Sequence, residues 1–176
     1  MTIQHDAGSP AVLLEETLDV VLESPLWQDA MPAAETVVRR AVAATLPSEF
    51  RGAELCVMLG DDAAVRDLNS RYRGRDSATN VLSFPALRDG TPTAAGSALP
   101  TLLGDVVIAF ETVRAEAESE GKSLDHHLSH LVVHGVLHLL GYDHETDAEA
   151  DLMEGRERDI LASLAVPDPY AGRECA

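Results

Sequence analysis

The sequence predicts an α+β domain: a small mixed four-stranded sheet packed with about five helices, its metal site on a central helix and the turn after it. Three observations predict it. Short apolar segments with strand character come early and alternate with helical ones. From residue 110 onward only helical spacing remains. Between positions 126 and 144 lie six of the seven histidines, on and just after an apolar helix. Alternation first and helices later is the pattern of a sheet with helices laid on it.

Each element follows from a local signal. LDVVLES (18–24) alternates as a strand, and Pro25 is read as its stop. Val37, Val38, Ala41, Val42 and Leu46 recur at helical spacing across 30–46, with Pro47 beyond the end. AELCVMLG (53–60) is a strand; Asp61 then caps a helix that carries Val65, Leu68 and Tyr72. TNVLSF (79–84) is a strand closed by Pro85, and LLGDVVIA (102–109) another. Between them, 86–101 is rich in Gly, Pro, Thr and Ala and reads as a loop. Helices follow over 110–121 and 123–140, broken by Gly121, and a last one runs from Asp147 to Leu164. Residues 1–16 are expected to be flexible, 17–166 to form a single domain, and 167–176 to be a tail.

Composition narrows the function classes. No apolar run approaches the roughly 20 residues needed to span a bilayer, so no membrane partner is expected. The opening MTIQHDAGSP has neither a basic nor an apolar signal region, and Cys56 and Cys175 do not form a disulfide framework. These features lead us to expect a cytoplasmic protein. A net charge of −17 opposes binding to a polyanion unless positive charge is concentrated locally. Arg66, Arg71, Arg73 and Arg75 do concentrate it, although composition alone favours a solvated helix end and loop.

The histidines carry the chemistry. Leu131, Val132, Val133, Val136, Leu137, Leu139 and Leu140 make the helix around them apolar, and imidazoles buried there need partners. His134 and His138 stand one turn apart on one face, the i, i+4 arrangement that lets two rings converge on one ion. His130 and His138 are separated by ~12 Å along the axis at 1.5 Å per residue, too far to share it. The third ligand therefore comes from chain that bends back. Gly141 can supply the bend in a left-handed C-cap, and His144 follows it. H-x3-H-x5-H thus predicts one zinc ion on His134, His138 and His144, with a fourth position open to water. His126 and His127 are read as ordinary residues of the helix start, and His130 as a core residue or a support for the ligands. The spacing is also that of metzincin proteases, but Gly135 stands where those carry the glutamate that activates water.

Three stretches, HLVVHGVLHLLGYDHETDAEADLMEGRERDIL (130–161), LNSRYRGRDSATNVLSFPA (68–86) and LLGDVVIA (102–109), closely resemble the YbeY family of bacterial endoribonucleases, in its order and spacing. The resemblance implies a zinc-dependent ribonuclease specific for single strands. Its implied role is 3′-end maturation of small-subunit (16S) ribosomal RNA and ribosome quality control. It also implies ribosomal RNA and the ribosome or its proteins as partners, with no DNA expected. The family's zinc ligands fall on His134, His138 and His144, and its functional arginine on Arg73. Beside a metal, Arg73 becomes a candidate catalytic clamp for a phosphate. Asp105 and Asp143 are read as acceptors behind the ligands or as local caps, and Asn80 and Ser83 as cleft residues or strand residues bonding their neighbours. Ala78 departs from the proline many relatives carry there. Two rivals keep the same histidines: a metallopeptidase taking its base from Asp143 or Glu145, and a non-catalytic ribosome-associated zinc protein.

Overall fold

The computed structural model describes residues 17–50, 52–86 and 101–171. The expectations for 1–16, for most of the 86–101 loop and for the last five residues fall outside them. The described elements run β1 (Leu18–Leu22), α1 (Pro25–Ala30), α2 (Ala34–Thr45), β2 (Glu54–Gly60), α3 (Asp62–Arg73), β3 (Val81–Pro85), β4 (Leu102–Ala109), α4 (Phe110–Glu120), α5 (Leu124–Leu139) and α6 (Asp147–Ser163). This is the expected α+β architecture. One further helix, α1, stands where Pro25 was read only as a stop. Proline's fixed φ and missing N–H suit the first turn of a helix, and here Pro25 ends the strand by starting α1. The helix buries Trp27, whose Nε1 donates to the Gly60 carbonyl at 2.9 Å.

The four strands lie in the order β1-β2-β4-β3. The first three are parallel, with Val20 opposite Val57 and Val57 opposite Val106; β3 runs antiparallel along β4, with Ser83 opposite Val106. Strand period sends Leu55, Val57 and Leu59 into the main core, against α2 and α5. The other face is partly covered by α3, where Val65 packs on Leu82, Val107 and Ala109.

Helix α5 is the centre of the molecule. It buries Leu128, Leu131, Val132, Val133, Val136, Leu137 and Leu139 on several sides, the pattern of a helix enclosed by its neighbours. Seven aliphatic side chains at about 1.5 kcal/mol or more each anchor it by on the order of 10 kcal/mol. The histidines it carries therefore sit on the helix that buries the most residues. Gly135 shows how closely α5 lies on the sheet: a Cβ there would come within 2.7 Å of Val106 Cγ1.

Candidate metal centre

The end of α5 builds the site. Its cap is a Schellman turn: Gly141 takes φ +93°, its N–H bonds the His138 carbonyl at 3.1 Å, and Tyr142 N–H bonds the Leu137 carbonyl at 3.1 Å. The turn reverses the chain so that His144 returns over the helix. Thr146 and Glu149 then form a reciprocal capping box that starts α6 within two residues of His144. One ring nitrogen each of His134, His138 and His144 lies within 4.8 Å of the others. The His144 ring lies nearly parallel to that of His134, their centroids 5.5 Å apart.

The partners of the other nitrogens decide what this triad can do. His134 Nδ1 is 2.7 Å from Glu157 Oε1, and His138 Nδ1 is 3.0 Å from the Tyr142 carbonyl. A carboxylate and a carbonyl only accept, so both Nδ1 atoms carry the proton. Both Nε2 atoms are left as lone pairs, and they face each other at 3.1 Å. Lone pairs that close repel unless a cation lies between them. A tetrahedral ion with Zn–N near 2.0 Å sets its donors about 3.3 Å apart, so this spacing fits a metal ion. Burial, followed by the neighbouring His134 and His144, lowers the pKa of His138 to about 4, so it is neutral and able to ligate at neutral pH.

Glu157 is the residue the sequence reading missed. It is 0% exposed, and its carboxylate accepts from His134, from His130 Nε2 at 3.1 Å, and from the Tyr170 hydroxyl. Burial pushes its pKa up, but these three hydrogen bonds outweigh burial and hold it down at about 2. A signal was present: Met153, Glu157 and Leu161 stand at i, i+4, i+8, and all three are buried. A charged residue on an apolar stripe marks a buried carboxylate with partners.

The triad opens into a cleft of about 1020 Å³ whose lining includes Arg73, Arg75, Asn80, Ser83, Asp143 and Glu145. The loop bearing the arginines is fixed from below. Arg66 forks onto Asp76 with contacts of 2.7 and 2.9 Å, and Asn69 Nδ2 donates to the Ser77 carbonyl at 2.8 Å. Of the four clustered arginines, Arg66 and Arg71 are neutralised by Asp76 and Asp67. The side chains of Arg73 and Arg75 have no hydrogen-bonding or ionic partner among the described residues, and both residues line the cleft with the histidines.

This combination invites comparison with known proteins. A model of the family described as endoribonuclease YbeY matches residues 27–165. The chain belongs to the YbeY endoribonuclease family. Proteins named endoribonuclease YbeY from Bradyrhizobium sp. strain BTAi1 and Rhodopseudomonas palustris strain BisA53 are 55% and 56% identical over 161 residues. Each match covers 90% of this chain, and 94% and 92% of the relatives. A Thermotoga maritima protein of known solution structure covers 91% of the chain at 19% identity, with a TM-score of 0.48.

The remaining expectations divide. His127 is buried and bonds Glu116 at 2.8 Å, and His126 lies 4.0 Å from Asp125, so neither joins the triad. Asp143 lines the cleft and accepts from the His144 N–H at 2.8 Å, acting as a local cap. Asn80 and Ser83 do both things expected of them: they line the cleft and bond neighbours, Glu116 and the Gly135 carbonyl respectively. Asp105 does not support the ligands. It pairs with Cys56 in the sheet register and lines a separate hollow with Asp19 and Glu54. Segment 167–171, read as part of a tail, returns to the domain, where Tyr170 reaches Glu157.

Proposed function

We propose that the chain is a zinc-dependent endoribonuclease specific for single-stranded RNA, with residues 17–166 as its catalytic domain. Its role would be 3′-end maturation of 16S ribosomal RNA and ribosome quality control, in the cytoplasm, on the ribosome and its proteins. Family membership supports the reaction class, and the resemblance of the motifs to the family's supports the ribosomal role. The observation that carries the reading is the pair of arginine side chains, without a partner among the described residues, that line one cleft with three convergent histidine nitrogens. On a chain of charge −17, cations held without a counter-ion need an anion to meet them. A phosphodiester supplies one.

In this reading His134, His138 and His144 hold one zinc ion. When bound, zinc supplies Lewis-acid chemistry toward a phosphoryl oxygen or a water. Arg73 binds the scissile or neighbouring phosphate through its planar fork and offsets charge as the transition state forms, and Arg75 holds the adjoining backbone. Asp143 and Glu145 are the carboxylates facing the same cleft, and either can hold a proton at its oxygens during cleavage. Position 135 cannot serve as that base. It packs on Val106 and Ser83, so a glutamate there would collide with the sheet. This weakens the peptidase alternative.

The test is cleavage of a labelled single-stranded RNA by zinc-loaded protein. We expect the wild type to cut it, His134→Ala to be inactive and Arg73→Ala to be slowed by at least about a hundredfold. Activity that survives undiminished in both variants belongs to a contaminant and removes the proposal, as does cleavage of casein without cleavage of RNA.

A further inference from the structure

The family match ends at residue 165, yet the chain beyond it reaches the support of the metal centre. Pro169 accepts from Lys122 Nζ at 3.3 Å, Asp168 lies 3.5 Å from Arg158, and the Arg158 guanidinium sits 5.1 Å from the centre of the Tyr170 ring. These contacts aim the Tyr170 hydroxyl at Glu157 Oε2, the oxygen that also accepts from His130. The other oxygen, Oε1, accepts from His134 Nδ1. A carboxylate is planar, so fixing one oxygen fixes the direction of the other. We propose that Tyr170 and Glu157 are positioning residues of the metal centre. In this relay Tyr170 orients Glu157, Glu157 orients the His134 ring, and the segment after α6 thereby sets the affinity for a divalent metal. The proposal rests on the reading that the three histidines bind the metal.

The physical reasons are three. First, the ring of His134 would otherwise turn about its side-chain bonds, and only one orientation aims Nε2 at the partner nitrogen of His138. A hydrogen bond from Nδ1 to a fixed carboxylate selects that orientation and keeps the proton off Nε2. Second, Glu157 has no contact with solvent, so no water can replace a missing donor without opening the packing around Met153 and Leu161. Third, Tyr170 is the donor that reaches Oε2 from outside α5 and α6, alongside His130 of α5. The Nδ1 of His130 is buried without a partner among the described residues, and Glu157 and Tyr170 are its hydrogen-bond partners. The carboxylate is therefore steered from outside α5 as well, by chain that packs on α6.

The test uses the full chain and zinc alone, with affinity read by competition against a chelating dye. Wild type should bind one zinc per chain. Glu157→Gln should bind it roughly 10–100-fold more weakly, the range for partners behind a ligand. Tyr170→Phe, which keeps the ring on Arg158, should lose about tenfold, the low end of that range. Because loosened packing could also weaken binding, the second readout is the Nδ1–H resonance of His134 in histidine-labelled, zinc-bound protein. It should shift in Tyr170→Phe, together with the signal of His130, which touches the same hydroxyl, while the signals of His127 and His138 hold. Wild-type affinity with an unmoved His134 resonance in Tyr170→Phe overturns the relay. Failure of the wild type to bind zinc overturns instead the metal reading beneath it. If Glu157→Gln does not fold, Tyr170→Phe decides alone.

Discussion

Helix α5 carries histidines along its whole length, and its two halves use them in opposite ways. In the first half, His127 and His130 spend Nε2 on a carboxylate, Glu116 and Glu157 respectively. In the second half, His134 and His138 spend Nδ1 on Glu157 and the Tyr142 carbonyl, which leaves both Nε2 atoms free and convergent. A count of histidines cannot tell these halves apart. What separates a ligand from a core residue is which ring nitrogen its neighbours leave free.

The most severe way to break this contrast is to delete one histidine from each half. His138→Ala should weaken zinc binding by at least about a hundredfold, since one of three protein ligands is gone. His127→Ala should leave affinity unchanged and lower stability, because a buried ring is lost and Glu116 keeps only Asn80 of its two partners. Calorimetric zinc titration reads the first effect and urea unfolding the second. Equal loss of zinc in both variants would falsify the division. A similar contrast holds among the arginines. Arg73→Ala should lower the rate of RNA cleavage roughly 10²–10³-fold, the scale of one lost donor to a developing charge. Arg71→Ala, whose side chain already pairs with Asp67, should change it little. Single-turnover kinetics on both variants would expose any reversal.

Smaller effects should follow from packing. Gly135→Ala presses a methyl into Val106 and should cost about 1–3 kcal/mol. Gly155→Ala in α6 meets nothing within 4 Å and should stabilise by roughly 0.5–1 kcal/mol, through helix propensity alone. Denaturant midpoints of opposite sign are the expected result.

Acid should act on the same residues. Folded His138 binds a proton only near pH 4, against an ordinary value of 6.5, so between those values the unfolded chain takes up a proton that the folded chain refuses. Stability of the metal-free chain should therefore fall as pH drops from 6.5 to 4. Glu157, held at about 2 against an ordinary 4.5, should add a further fall between pH 4.5 and 2. Urea midpoints at pH 7, 5 and 3 should decline in order, and equal midpoints at pH 7 and 5 contradict the assignment to His138.

Much of the molecule was legible where the signal was local. The strand at 102–109, the cap at Asp61 and the breaks at Gly121 and Gly141 each depend on a few neighbouring residues, and all stand where expected. The convergence of His134, His138 and His144 was legible for the same reason, because helix pitch and one glycine set its geometry. Three features depended on contacts distant in sequence. Pro25 reads alike as the end of a strand or the start of a helix, and only the burial of Trp27 decides between them. Asp105 sits in a strand beside the resembling motifs, but which side of the sheet it faces depends on register and on the irregularity opposite Glu54 and Leu55. Glu157 lies 23 residues from His134 on another helix, and its meaning emerges only when α6 packs on α5.

The central claim is that three imidazole nitrogens hold one zinc and leave a position open. X-ray absorption at the zinc edge of the reconstituted chain measures this directly. The account predicts one zinc per chain, with three histidine nitrogens at about 2.0 Å and a lighter oxygen contribution. Four protein ligands, a sulfur in the shell, or zinc well below one per chain would contradict it.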